Sequence, residues 1–272
     1  MRLSSLPMYP WPAEEHPMNN FSIKQKLLTL AVLVSSFLLI IALLANHSIQ
    51  QIKDLEDTKV LVKDNKIILL TLRRNEKDFL ARLNMKYQGK FEKNYQILVQ
   101  NITALQFKVS GMPGVDTQNL SQLLVLLKDY QRDFNNIIKL NQKIGLTPSD
   151  GLRGQLRGAV HEAEALIKEQ KLIALNADML MLRRNEKDFL MRKQLKYKDK
   201  FDKNFISLSG TIKGLRQKLK AEDIYLESEF SDLSREFAAY QKSFHDVVSI
   251  TNKIGITHEQ GLRGELRSSV HT

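Results

Sequence analysis

The chain contains no cysteine, which excludes a disulfide framework and any metal site built on thiolates. It also lacks the H-E-x-x-H metalloprotease motif, the serine nucleophile elbow, the phosphate-binding loop and the dinucleotide fingerprint. We therefore expect no catalytic residue, no metal site and no cofactor. The sequence is not expected to encode an enzyme.

Proline is scarce and unevenly placed. Only 6 of the 272 residues are prolines, and none lies between Pro17 and Pro113. The first twenty residues hold Pro7, Pro10, Pro12 and Pro17 and are predicted to be a disordered tail. The interval that follows is open to long, uninterrupted helices.

Charge of one sign predominates, since the formal net charge is +11. Such a net positive charge first suggests a nucleic-acid partner. However, Leu27–Ala45 is a run of nineteen uncharged residues, about 28 Å as a helix, which is close to the ~30 Å core of a bilayer. The run is too long for a typical signal peptide and no A-x-A site ends it, so a retained transmembrane helix is predicted.

Basic residues flank this run asymmetrically. Lys24 and Lys26 directly precede it, with Arg2 further back, whereas Lys53 on the other side is balanced by acidic neighbours. The positive-inside bias places the N-terminus in the cytoplasm, so no nucleic-acid partner is expected for the remainder. The expected organisation is a cytoplasmic tail at 1–26, a membrane helix at 27–46 and an external domain at 47–272.

The external region is internally duplicated. The sequence LRRNEKDFL occurs at Leu72–Leu80 and again at Leu182–Leu190, and matched residues continue at a constant spacing of 110 as far as His161 and His271. The two copies cover about 48–161 and 162–272. Two units of this length indicate a duplicated module rather than a solenoid.

Each copy has the apolar periodicity of helices. A continuous helix is predicted from about Ser48 to about Val109, roughly 90 Å long, ending in the turn at 110–116. A second helix is predicted at about 117–143. A second long helix is predicted from about 152 to about 220, followed by helices at about 225–253 and from about 262. The expected fold is all-α, with two stacked four-helix bundles that share two long helices.

The duplicated charged motif admits three interpretations. Glu76 lies on the apolar line of its helix and Arg73 flanks it, as Glu186 and Arg183 do in the second copy. Charges directed into a bundle are unfavourable unless paired, so they form a structural Glu–Arg network, an anion pocket, or both together. The third interpretation is an ordinary solvated face, with pairs such as Arg74 and Asp78.

A second motif, GLRGQLR at Gly151–Arg157 and GLRGELR at Gly261–Arg267, adds candidates. Arg153 and Arg157 lie four residues apart near a new helix N-terminus, a setting suited to carboxylates. Gly151, Gly154 and Gly158 are expected to permit close backbone approach, and the structural alternative is tight packing there. Thr147 is a further candidate for ligand contact, while His161 and His271 are expected to be structural.

With these residues in place, about 48–272 resembles the helical bimodular sensor domain of bacterial methyl-accepting chemotaxis proteins. The resemblance rests on RRNEKDFL and GLRGELR after a membrane helix. It implies a homodimeric periplasmic domain, anchored in the bacterial inner membrane, that senses small organic acids such as C4-dicarboxylates or acetate. Arg73, Arg74, Arg183 and Arg184 match the charged motif, so the resemblance implies ligand contact there.

The sequence departs from that family in one respect. It has no second membrane helix, HAMP linker or cytoplasmic coiled coil, and its last helix is cut short. We therefore expect it to be a fragment, a truncated gene product or the input half of a receptor. Two alternatives stay open: the input domain of a sensor histidine kinase, and a membrane-anchored helical scaffold that binds no ligand.

Overall fold

The computed structural model describes residues 22–110 and 116–271, and every regular element within them is an α-helix, which confirms the all-α prediction. The helices are α1 (Ile23–Arg82), α2 (Lys86–Ser110), α3 (Gln118–Ile144), α4 (Gly151–Glu169), α5 (Ala174–Arg192), α6 (Lys196–Ala221), α7 (Glu227–Ile254) and α8 (Gly261–His271). The predicted disordered tail at 1–20, the core of the predicted turn at 111–115 and the side chain of His271 lie outside the described residues.

The chain divides into two compact units between Val62 and Lys63. In the first unit, α1 carries the apolar run, and all side chains of Leu27–Ala45 are exposed. Within the described residues this is one helix that is long and apolar enough to cross a membrane, by length and composition. The predicted membrane segment is therefore helical.

The prediction of one continuous helix from Ser48 to Val109 is wrong. In the second unit α1 ends at Arg82, because Leu83 adopts the left-handed conformation (φ +49°) and its N–H donates to the carbonyl oxygen of Phe79 at 2.7 Å. The side chain of Asn84 then accepts a hydrogen bond from the N–H of Lys86 at 3.0 Å, at the start of α2. The chain changes direction without glycine or proline.

The second copy has the same break. Lys193 has φ +53° and its N–H donates to the carbonyl oxygen of Phe189 at 2.8 Å. The hydroxyl of Thr211 on α6 donates to Asp178 on α5 at 2.7 Å. Both residues lie well away from the connection, so α5 and α6 form an antiparallel hairpin. The predicted second long helix is therefore wrong as well.

Two hydrophobic cores lie in the second unit. Core A contains Leu72, Phe91, Phe134 and Leu266, which come from α1, α2, α3 and α8. Core B is formed by α4, α5, α6 and α7, with large aromatic side chains such as Phe244 fully buried. Core A also includes Val247, Ile250 and Ile254 of α7. Each core thus combines helices from both copies of the repeat, and α3 packs on α8 while α4 packs on α7.

The predicted helix starting near Leu152 is confirmed, but it does not continue to about residue 220 as predicted. α4 ends at Glu169, and Lys171 in the connection to α5 has φ +51°. This end lets α5 turn back and pack with α4 and α7 around core B.

Glycines fix the loop before α4. Gly145 has φ +112°, and a Cβ there would lie 2.1 Å from the carbonyl oxygen of Asp150. A Cβ on Gly154 would lie 2.3 Å from the carbonyl oxygen of Ser149, so the close approach predicted there is confirmed. The same prediction is wrong for Gly158, where a Cβ would meet nothing within 4 Å. The loop delivers Arg153 and Arg157 to the first turns of α4.

Candidate ligand-binding cavities

A cavity of about 400 Å³, here called cavity 1, lies between α1 and the start of α8. Its lining residues are Arg73, Glu76, Lys77, Leu80, His258, Arg263, Leu266 and Arg267. The walls thus hold four arginine and lysine side chains against a single carboxylate. Such a set favours an anion in the cavity.

Cavity 2 has a volume of about 310 Å³ and lies between α4 and α5. Its lining residues are Pro148, Arg153, Leu156, Arg157, Val160, His161, Arg183, Glu186, Lys187 and Leu190. Every one of the eight residues of cavity 1 has its counterpart here at a spacing of 110, including Arg73 with Arg183 and Arg263 with Arg153. The duplication therefore builds two related cavities.

Each cavity joins motifs from different copies. In cavity 1 the charged motif of the first copy meets the GLRGELR motif of the second, and in cavity 2 the roles are reversed. This pairing follows from the exchange of α4 and α8 between the two cores. The two motifs identified in the sequence therefore form one type of site rather than two.

A half-buried carboxylate lies at the wall of cavity 1. The hydroxyl of Tyr130 donates to Glu76 Oε2 at 2.7 Å. Burial raises the pKa of Glu76, although the Tyr130 hydrogen bond and the nearby Arg73, Lys77 and Arg263 oppose this. Burial and the Glu76 charge raise the pKa of Tyr130, so its hydroxyl remains a donor. The Tyr130 hydrogen bond therefore fixes the Glu76 carboxyl group beside the cationic side chains of the cavity.

Cavity 2 repeats this arrangement. Tyr240 donates to Glu186 Oε2 at 2.7 Å. Burial raises the pKa of Glu186, with the Tyr240 hydrogen bond and the charges of Arg183, Lys187 and Arg153 acting in the opposite direction. The Tyr–Glu pair is thus a feature of both copies.

The cavities differ in how far their cations are already paired. In cavity 2 Arg183 is bound by Glu164, and His161 Nδ1 lies 3.4 Å from the same carboxylate. In cavity 1 Arg73 forms no ion pair within the described residues, and Arg263 Nε is buried without a hydrogen-bond partner there. An unpaired buried guanidinium N–H is unfavourable, and a bound anion could satisfy it.

Six of the nine predicted ligand-contact residues line these cavities, namely Arg73, Glu76, Arg153, Arg157, Arg183 and Glu186. Arg74 is exposed and lines neither of them. Arg184 lines a different cavity, between α5 and α6. The hydroxyl of Thr147 accepts a hydrogen bond from the N–H of Ser149 at 3.4 Å, so it shapes the loop instead.

Sequence reasoning missed several residues. Tyr130 and Tyr240 fit the apolar periodicity of their helices and so were not predicted as site residues. Their spacing of 110 and their hydroxyl groups could have indicated a shared hydrogen-bonding role. Glu164 was missed because it lies beyond the arginine motif. His161, expected to be structural, accepts a hydrogen bond from Arg157 Nε at 3.3 Å and lines cavity 2.

Within the described residues no group of three or more His, Cys, Asp or Glu side chains could hold a metal ion. No protein-family model matches the chain, and neither curated proteins nor solved structures give a significant match.

Proposed function

We propose that the chain is the periplasmic, ligand-binding input region of a transmembrane chemoreceptor that senses small organic acids. The observation that carries this proposal is the convergence of cationic side chains from two separate motifs on the same cavity, twice in one chain. A carboxylate in cavity 1 would satisfy the buried Arg263 Nε and face Arg73. Guanidinium groups bind carboxylates through paired hydrogen bonds.

The organisation implied by the family resemblance is part of the proposal. We place residues 47–272 in the periplasm of a bacterium, with the apolar part of α1 in the inner membrane. The two cores would be two four-helix modules stacked end to end, and the functional form would be a homodimer. The exchange of α4 and α8 between the cores supports a coupled pair of modules, because a movement in one is shared with the other.

Signalling would use helix displacement. Cavity 1 lies between α1 and α8, so an anion that bridges Arg73 and Arg263 changes the relative position of these helices. Such a ligand shifts the equilibrium only by its preference for one arrangement over the other. Because the apolar run and Arg73 belong to the same helix, a shift of a few ångströms has a covalent route to the membrane segment.

The scaffold alternative is favoured by the pairing within cavity 2. Arg183 is bound by Glu164, and Glu186 is bound by Tyr240. Groups satisfied in this way hold helices together without a ligand. If cavity 1 behaved in the same way, the charges would serve structure alone.

A thermal-unfolding experiment separates the two functions. The full chain in uncharged detergent micelles is heated with acetate, succinate, malate or another small carboxylate, and with chloride at equal ionic strength. A ligand at a hundred times its dissociation constant adds about 2.7 kcal/mol to the free energy of unfolding. We expect at least one carboxylate to raise the midpoint and Arg73→Gln to abolish that rise.

The matched control is Arg74→Gln, the adjacent arginine, which removes the same charge outside the cavity. This variant should keep the carboxylate response of the wild type. If no carboxylate raises the midpoint of the folded wild-type protein, the sensor function is wrong and the scaffold function takes its place. If both variants respond as the wild type does, the carboxylate binds outside cavity 1 and the proposed site at Arg73 is wrong.

A further inference from the structure

A third cavity, of about 410 Å³, lies in the α5–α6 hairpin, separate from cavities 1 and 2. Arg184, Asn185 and Asp188 line it from α5, and Lys200 and Lys203 line it from α6. It contains none of the residues that line cavities 1 and 2. The carboxylate function proposed above makes no use of it.

The cations of this third cavity are incompletely paired. Arg192 lies 3.3 Å from Asp188, but Arg184, Lys200 and Lys203 form no ion pair with any residue that the structure describes. Asp188 is thus the single carboxylate in a wall that holds four cationic side chains. Like charges gathered around a cavity repel one another, and a bound anion relieves this repulsion.

A buried amide adds a donor to this wall. Asn185 is only 5% exposed, and its Nδ2 has no hydrogen-bond partner within the described residues. A buried N–H group without a partner is unfavourable relative to a satisfied one. The cavity therefore combines unpaired cations with an unused donor, and both favour an oxyanion.

The duplication supplies an independent observation. Of the nine residues that line the cavity, eight have the same residue type 110 positions earlier, among them Arg74, Asn75 and Lys93. Neighbouring exposed positions differ between the copies, as with Gly89 and Asp199. Asn75 repeats the buried, unpartnered Nδ2 as well. Exposed charges with only a solvating role would have no reason to match so closely.

We propose that the α5–α6 cavity binds a small multivalent oxyanion of the phosphate type, and that the equivalent residues of α1 and α2 provide a second such site. Three unpaired cations suit a ligand that carries two or more negative charges. Arginine and lysine together with an amide N–H offer donors only, which matches an oxyanion whose oxygens all accept. This site explains Arg74 and Arg184, which cavities 1 and 2 leave without a role.

Isothermal titration of inorganic phosphate and pyrophosphate into the full chain, in uncharged detergent micelles at low ionic strength, tests the proposal. The test variant replaces two cations in each copy, as Arg74→Gln, Lys93→Gln, Arg184→Gln and Lys203→Gln together. A control variant removes four exposed charges elsewhere, as Lys128→Gln, Lys139→Gln, Lys213→Gln and Lys218→Gln together. We expect the test variant to weaken binding by about tenfold or more, and the control to stay within about twofold of the wild type.

Three results would overturn the site. The first is no binding of phosphate or pyrophosphate by the wild type, and the second is equal weakening of that binding in the test and control variants. The third is that the protein binds no free phosphate but binds an anionic phospholipid added to the micelles. The last result would assign these cations to a lipid headgroup instead of a free anion. Arg73→Gln should leave phosphate binding intact while it abolishes the carboxylate response, so this proposal and the carboxylate function fail separately.

Discussion

Asn65 offers the sharpest test of how the two cores are built. It is 9% exposed, and neither atom of its side-chain amide has a hydrogen-bond partner within the described residues. The residue 110 positions later is Leu175, which is fully buried in core B. The second copy therefore shows that a leucine fits this position of the repeat, and Asn65→Leu is the natural substitution.

The expected gain combines two effects. Removing a buried amide that lacks partners relieves about 1–3 kcal/mol, and burying a leucine side chain contributes about 2 kcal/mol. Because the Cβ of Asn65 is already buried and neighbouring side chains must adjust, we expect a net gain of about 2–3 kcal/mol. For a chain of this size that corresponds to a rise of about 5–10 °C in Tm.

Circular dichroism of the full chain in uncharged detergent measures the change. The reciprocal variant Leu175→Asn should lose about 3 kcal/mol, since it buries an amide in an apolar core. The control Leu180→Asn changes an exposed leucine and should stay within about 0.5 kcal/mol of the wild type. An unchanged or lower Tm for Asn65→Leu would refute the reasoning, because it would mean that the amide makes favourable interactions after all.

Three further predictions concern the site and its loops. Tyr130→Phe should lower the free energy of unfolding by about 2 kcal/mol, measured by denaturant titration, because Glu76 loses a charge-assisted hydrogen bond; no loss would show that the bond contributes nothing. Since burial raises the pKa of Glu76 above 4.5, the folded state binds its proton more tightly, and this contribution to stability is present below pH 4.5 and lost as the pH rises through the raised pKa. The stability of Glu76→Gln relative to wild type should therefore increase from about pH 4 to about pH 7, and a constant or falling difference would contradict the assignment. Gly145→Ala should cost about 2 kcal/mol or more because its φ is +112° and a Cβ would clash with Asp150, whereas Gly158→Ala, with open space in a helix, should be neutral or gain up to about 1 kcal/mol; equal effects would refute the distinction.

The helix boundaries that the sequence predicted well are those marked by special residues. α3 and α7 end before Gly145 and Gly255, which both have φ +112°. The breaks at Leu83 and Lys193 are not marked in this way. Both residues adopt the positive-φ conformation that glycine favours, but neither is a glycine. Tertiary packing explains them: Phe79 and Phe91, on either side of the first break, both pack on Phe134. The periodicity of the local sequence does not encode that tertiary contact, so it predicted one continuous helix.

The candidate sites were predictable where charge conflicted with helical register. Glu76 and Glu186 lie on the apolar lines of their helices, so periodicity predicted that they are directed inward, and both are half-buried. Arg74 was included because it matches a family motif, and the geometry places it on an exposed surface instead. The charged motif of each copy pairs with the GLRG motif of the other because α4 and α8 are exchanged between the cores. This exchange is a property of the topology and cannot be predicted from the sequence of a single copy.

That exchange explains why both motifs occur in both copies. A charged motif completes its cavity only with a GLRG motif from the other copy, as Arg73 does with Arg263 and Arg183 with Arg153. A single copy in isolation would leave its cations without the opposing wall, and each core would lose residues that the other copy supplies. The duplicated unit therefore completes its cavities only as a pair. A ligand of the kind proposed above would act on a contact between copies in either cavity, where a change in helix position would alter both cores together.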